Sequence, residues 1–214
     1  MKTCVILLLG VISFKSYSQT FSIVKSEHAA GKALSVSVKY DTGAPKFYWA
    51  SCYFGELPHM SDSIKLFLIK TLLSELDDTS ICYKPVEALS YRYKGRYNRS
   101  PRSPRYNVQI EALLLINYIA LSSDAVAYSP FPVIYDKEKN EEVTGAGKGL
   151  NSVIKCYVKW FARLQKSGMK RYDLPLIDKR YEWYGSLFQK QRVYHERPAW
   201  EKLYSCPVLK KERD

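Results

Sequence analysis

Residues 90 to 106 read SYRYKGRYNRSPRSPRY. Arg92, Lys94, Arg96, Arg99, Arg102 and Arg105 place six positive charges there with no acid among them, and Tyr91, Tyr93, Tyr97 and Tyr106 are interleaved with the cations. Cations beside flat rings are a means of holding polyanions, because the charges meet phosphates or carboxylates while the rings stack. Just beyond lies the most apolar run of the chain, IEALLLINYIALSS, interrupted by Glu111 and Asn117 and preceded by Gln109. An ionised carboxylate in such a run must be paired and hydrogen-bonded to be tolerated. The nearest cations are Arg102 and Arg105. Arginine's planar fork suits a carboxylate, and Pro101 and Pro104 stiffen the stretch. The expectation is a structural ion pair of Arg102 or Arg105 with Glu111, with Gln109 and Asn117 as buried polar groups. Arg92, Lys94, Arg96 and Arg99 then stay outward and, with Tyr97 and the later aromatics Tyr181, Trp183 and Tyr184, form the expected binding surface.

Other chemistry is sparse. The histidines, His28, His59 and His195, lack the HExxH spacing of a metalloprotease. No GxSxG elbow occurs. VTGAGKGL at 143 to 150 resembles a phosphate loop only superficially: Glu142 stands where the first glycine is required and Gly149 where Ser or Thr is required. Cys52 lies near His59, and Cys82 is a second thiol for a cysteine-hydrolase reading, which requires the thiol to be free. A two-carboxylate glycosidase is open to any acids that fold together, such as Glu56, Glu75 and Glu111, but no spacing points to it. No cofactor and no metal is implied. Cys52, Cys82, Cys156 and Cys206 show no CxxC spacing and are instead disulfide candidates with three possible connectivities.

The opening residues, MKTCVILLLGVISFKSYSQ, follow the plan of a secretory signal: Lys2, an apolar run from Val5 to Phe14, then Ser16 and Ser18 before a cut at Gln19. The run is shorter than the ~20 residues of a membrane span. The expected organisation is a cleaved signal at 1–18 and one globular domain at 19–214, periplasmic or secreted, with no transmembrane segment. Loss of Lys2 and Lys15 reduces the formal charge from +12 to +10. An exported protein of that charge meets anionic envelope polymers or an acidic protein partner before it meets nucleic acid.

Stepping along the chain, Leu34, Val36, Val38 and Tyr40 alternate with polar residues, the period of a half-buried strand. FYWASCYF at 47 to 54 reads as a strand or a helix start. Ser61 or Asp62 caps a helix whose core stripe is Ile64, Phe67, Leu68, Leu72 and Leu76. Asp77 and Asp78 stand at its negative end, which implies a stop, a nearby cation or, more simply, a solvated end. Asn107 caps a second helix, apolar nearly all round and so buried. Asn151 caps a third, ended by Gly168, with Leu150, Ile154, Tyr157, Val158, Phe161 and Leu164 as its stripe and Cys156 and Trp160 on the flank. VIYD and EEVT suggest a short hairpin near 133–144, and a helix is expected around 181 to 192. Together these predict an α+β, mainly α fold: three principal helices around a buried central helix at about 107–121, with a small N-terminal β portion.

The expected function is a non-catalytic binding protein of the cell envelope or exterior, recognising an acidic protein or polyanionic polymer. The alternatives are a hydrolase of an envelope polymer using Glu111 or another buried acid, and extracellular nucleic-acid binding by charge.

Overall fold

The structure, a computed structural model, describes residues 19–41, 43–49, 57–87, 101–143, 145–169, 173–176 and 179–188. β1 (Gln19–His28) and β2 (Gly31–Tyr40) form a long antiparallel hairpin, in register from Gln19↔Tyr40 to His28↔Gly31 around the two-residue turn Ala29–Ala30. β3 (Lys46–Tyr48) adds to the other edge of β2. Leu34, Val36 and Val38 are buried, but so are Ser35 and Ser37. As the central strand, β2 is therefore covered on both faces, where alternation alone predicted one.

α1 (Asp62–Ser74) starts at Ser61, whose hydroxyl accepts from the Ile64 amide at 3.4 Å. Leu68, Ile69 and Leu72 face the core, followed by Leu76 in the 3₁₀ turn Glu75–Asp77. Phe67, assigned to the core stripe from its spacing, is instead 60% exposed. Of the two aspartates after this helix, Asp77 is exposed and Asp78 has cationic partners. Lys25 of β1 pairs with Glu75 and lies 3.0 Å from Asp78, and Lys32 of β2 lies 3.3 Å from Asp78. The Ser80 hydroxyl and amide and the two lysines outweigh burial and hold the Asp78 carboxyl well below the usual carboxylate range.

α2 (Val108–Leu121) is capped by Asn107, whose side chain accepts from the Ile110 amide at 3.1 Å, and it is buried from Val108 to Ile119. The 3₁₀ turn Ser122–Asp124 leads into the short α3 (Ala125–Tyr128). A second sheet follows, of order β5-β4-β6 and antiparallel throughout: β4 (Ile134–Asp136), β5 (Glu141–Val143) and β6 (Tyr181–Trp183). α4 (Lys148–Ser167) ends at Gly168, whose φ of +75° favours glycine. Its start lies three residues before the expected Asn151 cap. Val153 and Trp160 turn inward with Leu150, Tyr157, Phe161 and Leu164, leaving Val158 49% exposed.

The mainly α class, with three principal helices around a central one, is thus overturned: among the described residues two three-stranded antiparallel sheets share the fold with four α-helices. The physical reason is strand length. The hairpin expected near 133–144 is present as β4 and β5, but β3 and β6 each span three residues, too few for a period of two to register, and are specified by their pairing partners. Residues 181–183, read as helical, form β6 because β4 offers a free edge opposite β5.

Asp136 is the polar hinge of this second sheet. Its side chain is buried and receives Arg180 Nε at 2.8 Å and Nη2 at 2.5 Å, with the Glu138 and Lys139 amides closing the turn. Hydrogen bonds from Arg180, opposed by burial, lower the Asp136 pKa to about 2. A depressed carboxylate stabilises the fold above its unfolded value, near 4, and that contribution is lost as pH falls through the folded value. The melting temperature should therefore fall between pH 4 and pH 2 more steeply in the native chain than in Asp136→Asn. Parallel curves in that window would refute this.

Among the described residues, no helix is long and apolar enough to cross a membrane.

Candidate functional site

The segment Ser80–Tyr83 holds three parts of the molecule together. Lys32 of β2 donates its amide to the Ile81 carbonyl at 3.0 Å and accepts from the Tyr83 amide at 2.9 Å. On its other side, the Cys82 amide donates to the Tyr106 carbonyl, and the Val108 amide donates to the Ser80 carbonyl, both at 2.9 Å. Cys82, Lys84, Tyr106 and Glu111 thereby converge at the first turn of α2.

Glu111 is 1% exposed. Lys84 Nζ sits 2.5 Å from Oε1, and the Tyr106 hydroxyl donates to Oε2 at 2.8 Å. Burial, reinforced by the negative Glu111, raises the Tyr106 pKa well above that of a free tyrosine, so the phenol keeps its proton and donates it. Burial followed by Glu111 also raises the Cys82 thiol. A nucleophilic cysteine needs a lowered pKa and access, whereas Cys82 is fully buried. The Lys84 ammonium lies 5.8 Å from the centre of the Trp49 ring, which adds a cation–π contact.

The ion-pair expectation is corrected here. Lys84, 27 residues before Glu111, takes the place foreseen for Arg102 or Arg105. Arg105 Nη1 donates to the Tyr83 carbonyl at 3.1 Å instead. The Arg102 and Ser103 amides donate to the two carboxylate oxygens of Glu142 on β5, at 2.7 and 2.8 Å. The backbone pairing of 80–83 with 106–108 carries Lys84 to Glu111, and this long-range pairing is absent from local spacing. Lys84 and Glu142 were not singled out from the sequence. A lysine soon after a cysteine and an acid in a hairpin are ordinary surface patterns.

The other polar residues of α2 are also engaged. Gln109 Nε2 donates to the Leu76 carbonyl at 2.5 Å, and its Oε1 accepts from Asn107 at 2.8 Å. Asn117 is buried, and its Oδ1 accepts from the Tyr157 hydroxyl at 2.8 Å. Trp183 Nε1 donates in turn to that hydroxyl at 2.8 Å. Indole is only a donor, so this chain runs in one direction, from β6 through α4 to α2. Burial comes first in raising the Tyr157 pKa, and the phenol stays protonated.

Tyr181 and Trp183, assigned to a binding surface, are buried, and Tyr184 is half-buried against Phe131 and Tyr135 at ring distances of 5.8 Å. Alternate residues of β6 point into the core, so charged neighbours were a poor guide to exposure. Cys82 and Cys156 are free thiols. Arg92, Lys94, Arg96, Tyr97, Arg99, Cys52, Cys206, Glu56 and His195 lie outside the described residues. His28 is exposed and its ring is 3.9 Å from that of Tyr83; His59 is exposed. Glu75 and Glu111 are bound to different lysines, Lys25 and Lys84.

Chemically, Glu111 faces an ammonium and a phenol, which is the arrangement of a structural lock. An inverting or retaining glycosidase would place a second carboxylate about 5 to 10 Å away across a cleft. Compared with known proteins, the chain matches no family model, no curated protein and no solved structure.

Proposed function

We propose that this chain is an exported, non-catalytic binding protein, periplasmic or secreted, that recognises an acidic protein or a polyanionic polymer through the basic segment at 90–106. The observation that carries this reading is the way the base of the segment is held. The Val86 amide, just before the segment, donates to the Pro104 carbonyl at 3.1 Å. Glu142 grips the backbone amides of Arg102 and Ser103. Against the opposing effect of burial, those amides, the Ser103 hydroxyl and the nearby Arg102 charge hold its carboxyl below the ordinary value. Arg102 and Arg105 are both exposed, and neither makes an ion pair among the described residues. Held mainly through its backbone, the segment keeps its exposed arginines available to a partner. The engagement of Glu111 by Lys84 and Tyr106 supports a binding role over hydrolysis.

The test is a cross-linking pull-down from an envelope extract of the source organism at physiological salt. The tagged chain is expressed with residues 1–18 in place, and a parallel bait carries Arg92, Lys94, Arg96 and Arg99 changed to Ser. The expected result is an acidic partner captured by the first bait and lost by the second, with a processed N-terminus at Gln19. Equal capture by both baits would defeat the reading of the segment. An unprocessed, retained chain would defeat export.

A further inference from the structure

α4 carries Lys148, Lys155, Lys159, Arg163 and Lys166 and no acid in its 20 residues. Its four lysines are separated by steps of seven, four and seven residues. At about 100° per residue, those steps return all four to within about 40° of a single line along the helix, about 27 Å long. All four are exposed, and none has an acidic partner among the described residues. Arg163, further round the helix, is tied to Asp173 at 2.9 Å. Other cations of the fold are paired, Lys25 and Lys32 with Asp78, Lys84 with Glu111 and Arg180 with Asp136, while Lys39, Lys46, Lys70 and Lys179 are exposed singly on other elements. On α4, in contrast, four unpaired lysines stand on one line of one rigid element.

Helix stability does not account for this row. Lys148 stands in the first turn, where the helix dipole disfavours a cation. Lys155 and Lys159 are one turn apart with like charge, which is also unfavourable. A solvated helix face ordinarily mixes both signs at this spacing. An anion lying along the row would remove both penalties.

We infer that the lysine row of α4 binds an extended acidic polysaccharide laid along the helix axis. The row belongs to α4 and not to the 90–106 segment; only the choice of a polysaccharide rests on the export reading. The neighbouring aromatics Tyr157, Trp160 and Phe161 are buried, so the row presents no ring on which nucleic-acid bases stack. Protein interfaces are depleted in lysine and enriched in aromatics and arginine, the reverse of this face. A membrane-surface helix turns its apolar face to lipid, whereas here that face is packed in the core. A line of hydrated point charges is left, and it suits a linear polymer with regularly repeated carboxylates or sulfates. The row also begins beside the clamp on the basic segment: Gly149 is packed so closely against Val143 that a Cβ there would stand 3.4 Å from its side chain. Val143 follows Glu142, which holds Arg102 and Ser103.

The test measures binding of the chain to immobilised polygalacturonate and heparin, with dextran as the neutral control, at physiological salt. One variant changes Lys148, Lys155, Lys159 and Lys166 to Gln and a second changes them to Arg. Glutamine matches lysine in helix propensity, and circular dichroism checks that both variants fold. Binding should weaken about tenfold or more in the Gln variant, with a flatter salt dependence, and stay near native in the Arg variant. Native-like binding by a folded Gln variant overturns the inference, as does equal binding to dextran. Loss confined to the variant with Ser at Arg92, Lys94, Arg96 and Arg99 also overturns it, while leaving the proposed function standing. A preference for polyglutamate, DNA or phosphatidylglycerol vesicles over both polysaccharides overturns the choice of polymer.

Discussion

Lys84→Ala is expected to destabilise the protein by about 3 kcal/mol, because it leaves a buried carboxylate without its cation. For a chain of this size that is a fall of roughly 6–12 °C in melting temperature. Glu111 is 1% exposed, and its remaining partner, Tyr106, supplies one neutral hydrogen bond. Lys84 is 22% exposed at its side chain, so some water reaches the vacated site, which sets the expected cost at the lower end of the range for broken buried pairs. The double variant Lys84→Met, Glu111→Gln removes both charges together and should recover most of the loss. Glutamine still accepts from Tyr106, and methionine fills the lysine's apolar stem space. Thermal and urea unfolding of the three proteins decide the matter. If Lys84→Ala melts with the native protein, the pair contributes nothing, and the structural role assigned to Glu111 is wrong.

Gly31→Ala should be comparably damaging, by about 3 kcal/mol, through backbone strain together with loss of hydrogen bonds. Gly31 has φ of +141°, and a Cβ there would collide with the Ile81 carbonyl oxygen and stand 3.0 Å from the Tyr83 nitrogen. Those atoms belong to the backbone and cannot rotate aside. The hairpin would have to separate from Ser80–Tyr83, breaking the Lys32–Ile81 and Tyr83–Lys32 hydrogen bonds. Gly43 is the control: its φ is +99°, but nothing lies within 4 Å of an added Cβ. Gly43→Ala should therefore incur only the conformational penalty, about 1 kcal/mol. Hydrogen exchange at the Lys32 and Tyr83 amides would localise the damage. Equal stabilities for the two variants would show that the contact with 81–83 is not what requires glycine at position 31.

These two sites bear on the proposed function because they hold the same junction. The segment 80–83 joins the N-terminal hairpin to the start of α2, and from there the backbone runs into the base of the basic segment. A weakened junction should loosen the presentation of Arg102 and Arg105 while leaving the lysine row of α4, supported from the opposite side by Trp160 and Phe161, largely in place.

The parts of the fold legible in the residues are those with local causes. Ser61 and Asn107 each satisfy an amide three residues ahead, and Gly168 takes a backbone conformation that other residues resist. α2 is recognisable because nearly every position is apolar, which holds whatever it packs against. The β4–β5 turn is marked by its own polar tip, Lys137–Asn140. The positive surplus on α4 is likewise present in the spacing of four lysines. In contrast, the partner of Glu111, the cations at Asp78, the clamp of Glu142 and the inward turn of Tyr181 and Trp183 all depend on contacts across 26 to 53 residues. β3 and β6 belong with them, since each of these three-residue strands exists only through its neighbour. Capping, helical periodicity and glycine's conformational freedom act within a turn or two of chain. Which cation reaches a buried acid, and which edge a short strand completes, is selected when distant backbones meet, and no local spacing records that choice.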